Sequence, residues 1–173
     1  MTMLAMKHER SIRTLIAALA LLSTPAFSAD LTINFNGRFD NGTCAFQVDD
    51  QDLGTYQATI FTGSTVTAWR PIAVRASSCT SDIRTVHMAF SGTADADMPS
   101  YFAVRNTSGN VSGVGIELVN GASQRVTPNV TRFDWSIAGI GLTYNLFARF
   151  AQTRPGVTAG TISTPITIQF TYN

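Results

Sequence analysis

Charge is scarce in this 173-residue chain. Only 13% of its residues are Asp, Glu, Lys or Arg, against about 25% in an ordinary domain. The total balances at +1, which excludes the basic stripe of a nucleic-acid binder and the acidic run of a solvated tail. Cysteine is scarcer, with two residues, so neither a Cys-dense mini-protein nor a four-Cys zinc site is available. Long apolar runs are missing too. The longest, Thr14–Leu22, falls well short of the roughly 20 residues that span a bilayer. Hydrophobic residues still make up 45% of the chain, which argues for a packed core and against disorder.

The short apolar run has a different use. Lys7, Arg10 and Arg13 precede it, Ser23-Thr24-Pro25 follows it, and Ala26-Phe27-Ser28 places small residues at −3 and −1 of a cut before Ala29. Residues 1–28 therefore read as a cleaved secretory signal. From Ala29 onward there is no lysine. Nine arginines face ten acids there, a net charge of about −1. About 145 residues bury some 68–70% of their unfolded surface, enough for a core without a metal. Export also changes the meaning of the cysteines. In an oxidising compartment Cys44 and Cys79 most simply form one disulfide, with a catalytic thiol as the weaker alternative.

Past residue 28 no segment keeps a 3.6-residue period. The period is 2, in the sets Leu31/Ile33/Phe35/Gly37/Phe39, Cys44/Phe46/Val48, Ile72/Val74/Ala76, Val86/Met88/Phe90, Phe102/Val104, Val114/Ile116/Leu118, Tyr144/Leu146/Ala148/Phe150 and Ile162 to Tyr172. Such alternation puts one face of a strand on a core and the other in water. Turn signals such as Asn41-Gly42, Ser108-Gly109, Asn120-Gly121 and Pro155-Gly156 separate the sets. Many short strands with such punctuation predict an all-β antiparallel sandwich of immunoglobulin type.

The two ends carry the functional information. Residues 29–39 begin at the expected cut and carry four large apolar side chains in strict alternation. Left in water, such a strand is adhesive, so it has to pair within its own chain or with another. At the other end, Gly160–Asn173 alternates up to the last residue, so the expectation is a sheet without a closing strand of its own.

These residues resemble a pilin subunit of the chaperone–usher pathway, close to the small subunits of type 1-like fimbriae. The resemblance rests on the Ala-Asp start with its alternating extension (Asp30 to Phe39), on Cys44 and Cys79, the first of them just after it, on Gly160, fourteenth from the end, and on the penultimate Tyr172. It implies an incomplete immunoglobulin-like β-sandwich that lacks its last strand and is completed in trans by a donor strand. The organisation it implies is a signal over 1–28, a donor extension over 29–39 and a pilin domain over 40–173. Leu31, Ile33, Phe35 and Phe39 would be donor knobs, with Gly37 on the same face. Gly160, Ile162, Ile166, Ile168, Phe170 and Tyr172 would form the acceptor and chaperone-binding strand, with Phe46 and Val48 opposite. The carboxylate of Asn173 would be the chaperone's anchor. The implied partners are a periplasmic chaperone, an outer-membrane usher and neighbouring subunits, without nucleic acid, small-molecule substrate, cofactor or metal. The implied location is the periplasm and then a cell-surface fimbrium that supports adhesion. Strand addition of this kind takes generic affinity from main-chain hydrogen bonds and specificity from alternate side chains.

Two features oppose a smooth match. Pro165 cannot donate to a ladder, which predicts an edge position or a bulge. Asp40-Asn41-Gly42-Thr43 is a local hairpin signal, and it predicts that residues 31–39 fold back on 44–48. A self-closed secreted module that binds a glycan or protein is the alternative. A tip adhesin is disfavoured on length, because such proteins are two-domain chains about twice as long.

Other constellations are weaker. His87 is the one histidine after residue 28, and its place between Val86 and Met88 points it outward. No G-x-S-x-G motif accompanies it, so an enzyme is not expected. Asp49, Asp50 and Asp52 lack the calcium-loop spacing. Glu117 lies between Ile116 and Leu118 and is expected to face water. Trp69, Tyr101 and Trp135 suggest either a sugar platform or packing.

Overall fold

A computed structural model describes residues 42–172, which fall within one compact unit, Asp40–Asn173. Ten strands run in chain order: β1 Ala45–Val48, β2 Arg70–Ser77, β3 Thr85–Ser91, β4 Phe102–Ala103, β5 Asn106–Ser112, β6 Val114–Asn120, β7 Arg132–Ser136, β8 Thr143–Gln152, β9 Thr158–Ile162 and β10 Thr167–Tyr172. Helix among the described residues is limited to the turns Ala58–Ile60 and Ile137–Ile140. The lack of a 3.6 period therefore reads through directly.

The strands form a five-stranded sheet in the order β1-β2-β8-β6-β4, a three-stranded sheet β10-β3-β7 and a two-stranded ribbon β5-β9. Every pairing is antiparallel. The core lies between the two larger sheets. Val86, Met88 and Phe90 of β3 and Trp135 of β7 meet Val74, Leu118 and Leu146 of the other sheet. Trp135 is fully enclosed, and its indole N–H donates to the Gly141 carbonyl, 2.8 Å away. A buried indole needs such a partner. The disulfide joins Cys44, just before β1, to Cys79, just after β2, and locks the edge pair of the larger sheet.

The sequence pattern is corrected in three places. The C-terminal run is two strands with a break over residues 163–166. Pro165 supplies no N–H and biases Thr164 to extended backbone. The chain uses that break to leave the β5-β9 ribbon and enter the three-stranded sheet, with the Ser163 amide donating to the Arg105 carbonyl and the Arg105 amide to the Thr164 hydroxyl. Second, Asn106–Ser112 is a strand although its residues are polar, because it pairs with β9 away from the core. Third, Glu117 is buried, at 3% exposure. It lies opposite Arg149 on β8, and Arg125 returns beside β6 after the Asn120-Gly121 turn. Both guanidiniums donate to its carboxylate, at 2.7 and 2.6 Å. The ring of Trp69 lies 4.0 Å from the Arg149 guanidinium and that of Tyr101 lies 5.0 Å from that of Arg125. This outer layer shields the carboxylate from water, so alternation alone mislocates it.

Candidate functional site

The candidate site is the seam between two sheet edges. Among the described residues β10 pairs only with β3, and β1 pairs only with β2. One row of main-chain donors and acceptors on each edge is therefore left without a ladder partner among these residues. Side chains along β10 alternate strictly. Ile166, Ile168 and Phe170 are half-buried against the core, while Thr167, Gln169 and Thr171 are exposed. An apolar face on an unpaired edge is a template for one more strand.

At one end of the seam, aromatic rings close it. Phe46 of β1 lies flat on Phe170 of β10, with centroids 4.1 Å apart and ring planes 2° apart. Tyr172 and Trp135 flank the same ring at 6.3 and 6.2 Å. A cavity of about 840 Å³ lies between the chain that follows β1 and the chain that precedes β10. The segment after β1 (Leu53, Tyr56, Phe61) and the segment before β10 (Ile162, Pro165) wall it over Ile116 and Phe150. By chain continuity the cavity prolongs the β1–β10 seam. Arg105, Asp50 and Asp52 also line it.

The expected acceptor residues fall as follows. Ile162, Ile166, Ile168 and Phe170 share the inward, half-buried phase, and Tyr172 is the most open of the series at 36%. Gly160 sits in β9 opposite Gly109, where a Cβ would come within 2.6 Å of the Ser108 carbonyl oxygen. The close approach of the ribbon's strands requires glycine there. Phe46 reaches the seam, but Val48, expected beside it, is 48% exposed. The donor residues Leu31, Ile33, Phe35, Gly37 and Phe39, and the terminal Asn173, lie outside the described residues. So does the hairpin partner strand expected over 31–39. Sequence reasoning missed Leu53, Tyr56 and Phe61, because residues 49–61 have no period to read. Tyr56 packs edge-on against Phe150 at 6.1 Å.

The remaining candidates resolve into surface pairs. His87 points outward and meets Asp134 on the neighbouring strand, Nδ1 to Oδ1 at 2.6 Å. Asp49 pairs with Arg75 at 2.7 Å. The hydrogen bond and charge of Arg75, with a smaller contribution from the Gln47 amide, hold the Asp49 carboxyl below its usual range. Among the described residues no cluster of His, Cys, Asp or Glu is arranged to hold a metal. Trp135 belongs to the core, while Trp69 and Tyr101 roof the arginines around Glu117.

Comparison with known proteins agrees with this architecture. The family model described as fimbrial protein matches residues 33–173. The chain is 30% identical to the fimbrial subunit type 1 of Salmonella typhimurium, covering 96% of this chain and all of that one. It is also 30% identical to the S-fimbrial adhesin protein SfaS of Escherichia coli O6:K15:H31, over 93% of this chain and 98% of the other. That second match removes the length argument against an adhesin, because a protein of this size carries the name. Among solved structures, the P pilus rod subunit PapA superposes with a TM-score of 0.65 at 16% identity, covering 82% of this chain and 99% of that one.

Proposed function

The chain belongs to the fimbrial protein family and is a fimbrial subunit of chaperone–usher type, and from that premise we propose that it is joined into its surface fibre by donor-strand exchange. In this reading the unpaired edge of β10 takes a strand from a neighbouring subunit, whose alternate apolar side chains enter the seam and cavity. A periplasmic chaperone lends a strand to the same edge before assembly and grips the carboxylate of Asn173, and an outer-membrane usher hosts the exchange. Residues 1–28 are the export signal. Leu31, Ile33, Phe35, Gly37 and Phe39 are the strand this subunit donates in turn, and 40–173 is the body that accepts. Fibres built in this way support adhesion of the cell.

The observation that carries the proposal is the combination on β10 of a half-buried apolar face with an edge that has no strand beside it among the described residues. A main chain docked there gains ladder hydrogen bonds, and its side chains bury apolar surface at about 25 cal/mol per Å². Removing residues 29–39 behind an intact signal tests the donor half in cells that build the fibre. The shortened chain is expected to co-purify with its chaperone and to lose its place between two neighbours. Undiminished incorporation at internal positions would contradict the proposal.

A second reading, contact with a host receptor, is favoured by the match to SfaS. It requires a ligand-binding surface separate from the seam, and receptor binding that survives blocking of the seam would support it.

A further inference from the structure

We propose that Phe46 is a plug in the β1–β10 seam that sets how fast, and with which side chains, a strand can dock there. The inference rests on the reading of that seam as the docking site.

Volume limits what can dock in the seam. A docking strand must place alternate side chains into the seam at the levels of Ile162, Ile166, Ile168 and Phe170. Near Ile162 and Pro165 about 840 Å³ stands open. Beside Phe170 the space is already filled, because the Phe46 ring crosses from the opposite edge and lies parallel on it at 4.1 Å. A side chain that docks at that level therefore has to displace Phe46 from Phe170. The ring can move without unravelling its strand. β1 is four residues long, Gln47 and Val48 beside it are exposed, and the disulfide at Cys44 holds the backbone two residues away. Breaking an aromatic pair of this kind shifts an equilibrium by about two- to tenfold, and the docking rate carries that factor. The aromatic end is therefore where a docking strand is selected.

Docking can be followed on the full mature chain, Ala29–Asn173, refolded with its disulfide and carrying W69F. That substitution leaves Trp135, 6.2 Å from Phe46, as the only fluorophore of its kind. The probe is a synthetic peptide with the sequence of residues 30–39, alongside versions in which each apolar residue in turn is changed to alanine. Phe46→Ala and Phe46→Leu are expected to raise the association rate about two- to tenfold. They are also expected to flatten the dependence on side-chain size at the one peptide position that reaches Phe170. Val48→Ala, an exposed change on the same strand, leaves the rate as it was. A purely structural role for Phe46 would lower the unfolding midpoint and leave the rate and its size dependence untouched, and that result overturns the proposal. Phe46→Leu keeps a large apolar side chain, so a folding defect confined to the alanine variant still leaves a reading. Failure of the peptide to dock on any form, wild type included, removes the seam as the docking site and the plug with it.

Discussion

β6 and β10 look alike as sequences. Each is a short run with large apolar residues at every second position. β6 is buried at all seven positions, whereas β10 alternates between half-buried and exposed and has no fully buried residue. The difference lies in the neighbours. β6 has β8 on one side and β4 on the other, with Trp69, Arg149, Arg125 and Tyr101 layered over its outer face. β10 has β3 on one side and the seam on the other. Burial is a property of the sheet a strand joins, and among the described residues β10 has one neighbour where β6 has two.

The largest effect that tests this contrast comes from the closed side. Phe90→Ala in β3 removes a fully buried ring and is expected to cost about 3–5 kcal/mol, measured by denaturant unfolding. Ile168→Ala on β10 should cost clearly less in the free chain, because the side chain is only half-buried. Its cost should rise toward the about 2–5 kcal/mol of a core isoleucine once a strand is docked. Equal costs in the two states would erase the distinction between the strands.

Next comes the disulfide. It clamps β1, the strand whose Phe46 closes the seam, to β2 over a separation of 35 residues. Replacing both cysteines by alanine is expected to cost about 2–5 kcal/mol in the same unfolding measurement. The loss should fall mainly on order at β1, read as faster amide exchange over residues 45–48 than over β6. Uniform loosening of both would contradict the view of β1 as a separately tethered edge.

Glu117→Ala tests the outer layer of β6. It leaves two arginines without their shared acceptor, but Arg125 is half-exposed and can rehydrate. The expected cost is therefore about 1–3 kcal/mol, smaller than for a sealed ion pair. Glu117→Gln should recover part of that loss.

The smallest effect is the pH dependence of the Asp49–Arg75 pair beside β1. The Arg75 guanidinium holds the Asp49 carboxyl below the ordinary carboxylate value. The stabilisation is therefore fully present above that value and is lost as the pH falls through the lowered one. Both partners are largely solvated, so Arg75→Ala should lower neutral stability only slightly, and that small difference should vanish as the pH falls through the lowered value. A large shift at neutral pH would show that the pair does more than decorate the edge.

Much of this architecture is legible in the sequence. Val86/Met88/Phe90 is a clean period-2 set because β3 has one face on the core and one in water, which is the condition under which alternation is informative. Compartment and count pair Cys44 with Cys79, and the disulfide joins them. The inward phase of Ile162, Ile166, Ile168 and Phe170 followed from parity alone. Legibility failed where that condition fails. Glu117 has partners eight and thirty-two residues away, which only the fold brings together. Asn106–Ser112 pairs outside the core, so no apolar rhythm marks it. Phe133 and Trp135 alternate correctly in β7, but the run is only five residues long. The cavity wall formed by Leu53, Tyr56 and Phe61 comes from a segment with no period at all, and so the volume of the site was invisible although one edge of it was not.

The account turns on the claim that this body is one strand short. The direct test is equilibrium unfolding of the disulfide-bonded body, residues 40–173, alone and with a peptide carrying the sequence of residues 30–39 or of a neighbouring subunit's extension, on monomers separated from oligomers. The account predicts a weakly stable body whose midpoint rises strongly with peptide, an increase that reverses only slowly and is abolished when Ile33 and Phe35 of the peptide are changed to aspartate. A body that is already stable, with a midpoint indifferent to every added strand, would show that the sheet closes on itself.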